Sequence, residues 1–166
     1  TDDTRIRAHL DTLDILRRGG ARVALASHLG RPKGKVAAGL SLFPVSQALG
    51  ALLGCEVPFC EDCVGEKVSA RVASMGDGDV CLLENLRFYL GEEANDPVFS
   101  AAHRAHASTV GVTRFLPSCA GKLMEKEVTV LSRVMKDPRK PMVIILGGAK
   151  VSDKIGFIRS MLEKGD

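Results

Sequence analysis

Short unbroken apolar runs recur along this chain, each preceded by a stretch of helical periodicity or a turn and each ending abruptly in a polar loop. The runs are residues 23–26, 57–60, 80–83 and 142–146. Continuous rather than alternating apolar runs describe strands covered on both faces, which calls for a parallel sheet between two layers of helices. The expected fold is therefore α/β, a Rossmann-like three-layer arrangement with helices on both faces of the sheet. Between residues 4 and 18, Ile6, Leu10, Leu13 and either Ile15 or Leu16 keep helical spacing, and Gly19-Gly20 supplies the stop. Pro44 suits the first turn of a helix carrying Val45, Ala48, Leu49 and Leu52, with Gly54 at its end. Residues 64–73 form a further helical stretch before the turn Gly76-Asp77-Gly78, and residues 123–135 a longer one. Pro138 and Pro141 mark a linker, and Ser152 or Asp153 caps a last helix running to Leu162. There is no internal repeat, heptad pattern or low-complexity segment.

Composition narrows the classes of function. A chain of 166 residues with 45% hydrophobic and 26% charged residues is one domain's worth plus an appendage. Its 23 Lys and Arg against 20 Asp and Glu leave +3, too little for a field that gathers nucleic acid or coats a membrane, so any functional charge is local. The longest apolar run, residues 142–146, falls far short of the ~20 residues that cross a bilayer. Five cysteines at irregular spacing, in a chain able to bury a core without staples, suggest reduced thiols and a cytoplasmic setting. Cys60-Glu61-Asp62-Cys63 satisfies C-x-x-C but has no second pair and no nearby His, so structural cysteines are expected rather than zinc.

Ligands of open parallel sheets sit beyond the carboxyl ends of the strands. In this chain those positions are basic. After the first run, residues 28–35 hold Arg31, Lys33 and Lys35 and no acid; Arg87 follows the third run; residues 101–114 hold His103, Arg104, His106 and Arg114, again without Asp or Glu. A near-neutral chain with its cations gathered there suits a small, strongly anionic ligand. Each residue also has a plainer reading. His28 fits a hydrogen-bonded core or cap histidine, the Arg31 to Lys35 cluster a solvated loop, and Arg87 an ion pair with Glu84 or Glu92. His103 and His106 have no carboxylate or Cys nearby to complete a metal site, and no metal ligand is expected. Gly147-Gly148-Ala149-Lys150 follows a strand and opens a helix, presenting N–H groups to an anion, yet it matches neither a dinucleotide fingerprint nor a Walker A loop.

Taken together, the segments Thr4-Arg5-Ile6, Ser27-His28-Leu29-Gly30-Arg31-Pro32, Leu82-Leu83-Glu84-Asn85-Leu86-Arg87-Phe88, Ala102-His103-Arg104-Ala105-His106 and Leu146-Gly147-Gly148-Ala149-Lys150-Val151-Ser152-Asp153-Lys154-Ile155 resemble phosphoglycerate kinase. They stand in that family's order and cover nearly the whole chain. The resemblance implies a two-lobed glycolytic kinase, with residues 1–137 belonging to the phosphoglycerate-binding lobe and 138–166 opening the nucleotide lobe. It implies that Arg5, His28, Arg31, Arg87 and Arg104 grip 3-phosphoglycerate, with Leu29 and Gly30 shaping the loop. Gly147, Gly148, Lys150 and Lys154 would take the nucleotide phosphates, and Arg5 and Lys154 would act on the group in transfer. The implied substrates are 1,3-bisphosphoglycerate or 3-phosphoglycerate and ADP or ATP carried with Mg²⁺. The protein is expected to be a monomer without nucleic-acid or membrane partners.

Departures from the family pattern set further expectations. The family's first strand, with Val-Asp-Phe-Asn, would precede Thr1; an Asn-Asp-Ala-Phe segment is expected between Ser100 and Ala101; most of the nucleotide lobe would follow Asp166. With no leading Met, the chain reads as part of a longer protein, incapable of turnover by itself. The competing reading is a non-catalytic lobe that binds a phosphorylated metabolite or a protein. RNA binding ranks last, since the single Tyr and six Phe are not interleaved with the basic clusters.

Overall fold

The computed structural model describes residues 3–94 and 107–136. The chain divides into two compact units, Thr1–Gly121 and Lys122–Asp166. In the first, α1 (Thr4–Arg7) and α2 (Leu10–Arg18) lead to β1 (Val23–Leu25), followed by α3 (Phe43–Leu53), α4 (Glu66–Ala73), β2 (Val80–Leu82) and the short α5 (Leu90–Glu93). Single 3-10 turns occupy Ala38–Leu40, Leu86–Phe88 and Val112–Arg114, the last preceded by a π turn at Ala107–Gly111. In the second unit the described residues form one amphipathic helix, α6 (Lys122–Lys136), as expected from the periodicity over 123–135.

The sheet is parallel. β1 pairs with β2 in the register Val23 to Val80, Ala24 to Cys81 and Leu25 to Leu82. Side chains alternate across a strand, and β2 uses both of its faces. Val80 and Leu82 join Leu13 of α2, Leu42, Leu49 of α3 and Val57 in one apolar cluster. Cys81 turns the other way, into a second cluster with Cys60, Val68 of α4 and Met75. Helices therefore cover both faces of β2, the three-layer α/β arrangement that continuous apolar runs require. α3 starts where Pro44 predisposes it, and Gly54 ends it at φ +66°, a left-handed conformation that glycine adopts without strain.

Four local expectations change. The helix over 4–18 is two helices, because the His9 amide bonds Ile6 O three residues back and breaks the four-residue ladder before Leu10. The helix over 64–73 begins two residues later, after Gly65 at φ +100°. The run 57–60 contributes only a parallel bridge from Phe59 to Leu82. Pro58 accepts from the Leu82 amide and Cys60 donates to Leu82 O, but Pro58 has no N–H with which to extend the ladder. Among the described residues β1 is covered on one face only: Val23 and Leu25 pack on the first cluster, whereas Ala24 is exposed. The expectations at Asp96-Pro97, at the Ser100 to Ala101 junction and beyond Pro138 lie outside the described residues.

The cysteines are free thiols. Burial pushes the Cys63 thiol up to about 12, with Asp62 and Glu84 adding to the effect, and pushes Cys81 up to about 11. Since the thiolate is the reactive form, exposed Cys119 should be alkylated first in the native protein, and buried Cys60, Cys63 and Cys81 only on unfolding. Peptide mapping after timed alkylation checks this, and early labelling of Cys63 would contradict the packing. Leu82, 2% exposed in the centre of the sheet, should cost about 2–5 kcal/mol of stability as Leu82→Ala, measured by urea unfolding.

Candidate functional site

The loops that leave β1 and β2 are stitched together at the carboxyl end of the sheet. The ladder extends one step beyond the strands, Leu83 N to Leu25 O, and is followed by a bond from Leu86 N to Ser27 O. Side chains then take over. Asn85 is completely buried. Its Oδ1 accepts from the amides of Leu29 at 3.3 Å and Arg87 at 3.1 Å, and its Nδ2 donates to Leu29 O at 2.8 Å and Leu40 O at 2.9 Å. Both polar groups of residue 29 are thus held by one side chain.

Glu84 does a related task at the start of α3. One carboxylate oxygen accepts from the Ser41 hydroxyl at 2.8 Å; the other accepts from the amides of Leu42 at 2.9 Å and Asn85 at 2.7 Å. A carboxylate there satisfies donors that precede the first helical turn and sits favourably at the positive end of the helix. The ion pair of Arg87 with Glu84 that the sequence allowed is therefore not how Glu84 is used. Arg87 instead donates from Nη1 to Gly30 O at 2.8 Å, and its own carbonyl accepts from the Gly34 amide. Glu92, fully buried, accepts from the amide and the hydroxyl of Ser108.

His28 and Arg87 are half-buried, while Leu29, Gly30 and Arg31 are exposed at the loop crest. His28, Leu29, Gly30 and Arg87 are brought together through Asn85 and the Arg87 to Gly30 bond, and Arg31 follows directly in the loop. Arg5 stands exposed on α1, beside the pair formed by Arg7 and Asp3 at 2.8 Å, which raises the Arg7 pKa. Among the described residues no hydrogen bond or ion pair joins Arg5 to the two loops. Arg104, Gly147, Gly148, Lys150 and Lys154 lie outside the described residues, as do His103 and His106. Sequence reasoning missed Glu84 and Asn85 as structural ties; the available signal was a polar pair placed directly after a buried strand, where loop backbone needs partners.

Asp62 and Tyr89 close the far side of this region. The Tyr89 hydroxyl donates to the Asp62 carboxylate, which also accepts from the Cys63 amide. The tyrosine bond holds the Asp62 pKa low, and burial with the same contact pushes Tyr89 up to about 12. A cavity of about 590 Å³ nearby is lined by Glu56, Glu61 and Glu84 with Arg71, an acidic lining that does not suit an anion. Among the described residues no group of three or more His, Cys, Asp or Glu is placed to hold a metal ion, and no helix is long and apolar enough to cross a membrane.

The fold and the stitched loops define an α/β lobe with a cation-bearing rim at the carboxyl ends of its strands. The chain belongs to the phosphoglycerate kinase family, whose sequence model matches residues 1–166. It is 51% identical over 183 positions to the phosphoglycerate kinase of Trichodesmium erythraeum and 52% identical over 182 positions to that of Moorella thermoacetica, in each case across 100% of this chain and 46% of the relative. The solved phosphoglycerate kinase of Pyrococcus horikoshii superposes with a TM-score of 0.83 at 30% identity, covering 98% of this chain and 45% of that one. The Coxiella burnetii enzyme gives 0.82 at 36% identity, covering 100% and 46%. The chain spans about half the length of the relatives it matches. Since 183 aligned positions meet 166 residues, the Trichodesmium relative carries at least 17 positions within the matched span that this chain lacks.

Gly30 has little room for a side chain. Its φ is +66°, and a Cβ there would lie 2.8 Å from Leu40 Cδ2. Gly30→Ala should therefore destabilise the protein by about 1–3 kcal/mol, from the left-handed backbone and the crowding of Leu40 together. Thermal or urea unfolding reads the change, and parental stability would contradict the loop geometry.

Proposed function

We propose that this chain provides the phosphoglycerate-binding lobe, and the opening of the nucleotide lobe, of an enzyme that reversibly transfers a phosphoryl group from 1,3-bisphosphoglycerate to ADP. The boundary falls after residue 137, with residues 138–166 starting the nucleotide lobe. The observation that carries the reading is the meeting of Arg87 with the residue 28–31 loop at the strand ends, in a chain of this family. Guanidinium groups present a planar fork of donors that matches carboxylate and phosphate oxygens, so Arg31, Arg87 and Arg104 with His28 suit the two anionic ends of 3-phosphoglycerate. Leu29 and Gly30 shape the loop between them.

In-line phosphoryl transfer requires no covalent nucleophile. It demands positioning and neutralisation of charge on the equatorial oxygens, which falls to Arg5 from this lobe and Lys154 from the nucleotide side. Gly147, Gly148 and Lys150 would take the phosphates of the second substrate, ADP or ATP with its Mg²⁺. Closure of the lobes excludes water, which otherwise competes as acceptor. The positions that the relative carries and this chain lacks are assigned to the Ser100 to Ala101 junction. We assign the enzyme to the cytoplasm, as a monomer without nucleic-acid partners.

Titration of 3-phosphoglycerate into the chain, followed by calorimetry, tests the binding half. Arg87→Ala, Arg31→Ala and Arg104→Ala are each expected to weaken binding more than tenfold, about 1.4 kcal/mol. Parental affinity in any of these variants, with the fold intact, would remove that residue from the patch. In the full-length enzyme, Lys154→Ala should reduce turnover far more than phosphoglycerate affinity, and equal turnover would exclude that lysine from transfer.

A further inference from the structure

We infer that Asn85 is the positioning residue of the anion-binding rim: without touching the ligand, its buried amide fixes where the residue 28–31 loop and Arg87 meet. The inference rests on the phosphoglycerate reading of that rim. Asn85 is 0% exposed, so its influence passes through what it holds. A single atom, Oδ1, accepts from both the Leu29 and the Arg87 amides, so the loop crest and the root of the arginine are referred to one point. The Arg87 guanidinium then returns to Gly30 O, closing a ring through Asn85, Leu29, Gly30 and Arg87.

The other ties hold different parts of the loop. Leu86 N to Ser27 O secures its beginning, and Gly34 N to Arg87 O secures its later turn. Residue 29, between His28 and Gly30, is held by Asn85 through both its N–H and its C=O. Only a short side-chain amide offers an acceptor oxygen and two donors at that reach. An aspartate would keep the acceptor but place oxygen against the carbonyls of Leu29 and Leu40; a leucine would remove all four bonds and leave their partners unmet.

The test compares the parent chain with Asn85→Asp and Asn85→Leu, measuring 3-phosphoglycerate affinity by calorimetry and amide hydrogen exchange residue by residue. Both variants are expected to bind at least about tenfold more weakly. In Asn85→Leu the Leu29 amide should exchange at least about tenfold faster, a larger acceleration than at the Leu82 amide, bonded to Pro58 O in the sheet. Parental affinity in either folded variant overturns the inference, as does a loss of affinity accompanied by equal loosening of Leu82, which would mark a general structural role. If Asn85→Leu does not fold, Asn85→Asp decides. The parent decides alone if neither folds: a Leu29 amide exchanging at the rate of an open loop overturns the inference, and a protected one sustains it. A parent chain that does not bind 3-phosphoglycerate overturns the functional reading itself, an outcome separate from parental affinity in a variant.

Discussion

Asn85 joins two loops whose backbones satisfy each other only in part. Past the last rung of the β1 to β2 ladder the chains diverge, and their N–H and C=O groups need partners that the sheet no longer supplies. A fully buried amide side chain answers with four bonds, two to residue 29, one to Arg87 and one to Leu40. Each bond contributes modestly by net accounting, but leaving a polar group of the buried Asn85 amide unmet costs about 1–3 kcal/mol. The constraint is therefore severe despite the small worth of each contact. Glu84 works on the same principle one residue earlier, tying the start of α3 to the end of β2. Two successive polar side chains thereby relate the rim, the central strand and a core helix to one another.

The central strand can carry this arrangement because it is dry on both faces. Val80 and Leu82 face α2 and α3, Cys81 faces α4, and all three are nearly inaccessible to solvent. Opposing layers of helices leave β2 little freedom to tilt, so the residues that emerge from its carboxyl end start from a fixed origin. Cys63 reinforces that exit, its thiol donating to Glu84 O at 2.9 Å. The acidic and aromatic contacts of Asp62 with Tyr89 then close the segment beyond the Leu86–Phe88 turn.

Much of this was legible in the residues, and the reason is locality. α3, α4 and α6 declare themselves through periodicity, with a proline near the start of α3 and the glycine that ends it, features confined to neighbouring residues. The placement of cations after apolar runs is equally local, and it singles out residues 28–31 and Arg87. What escaped was decided at a distance. Asn85 and Leu29 are 56 residues apart, and nothing in the local pattern of either announces the other. The open face of β1 depends on what packs against Ala24, and the shrinking of 57–60 to one bridge depends on where the missing N–H of Pro58 falls relative to β2. The break before Leu10 turns on one backbone bond.

The bond from Arg87 to Gly30 O bears on how such a rim can bind tightly with few residues. A long cationic side chain on a mobile stem must be ordered by its ligand, at a cost of about 0.5–1.5 kcal/mol for each immobilised side chain. Here Arg87 is half-buried and its guanidinium already anchored to the loop, so on the proposed reading part of that ordering is complete before an anion arrives. Its anchor is a neutral carbonyl, whereas phosphate and carboxylate oxygens carry a negative charge and add Coulombic attraction to the hydrogen bond. Gly30 makes the anchor available because its left-handed backbone fits closely under Leu40, whose own carbonyl is held by Asn85. The anion-binding role proposed for Arg87 and the steric requirement at Gly30 are consequently one constraint, set by the same buried amide.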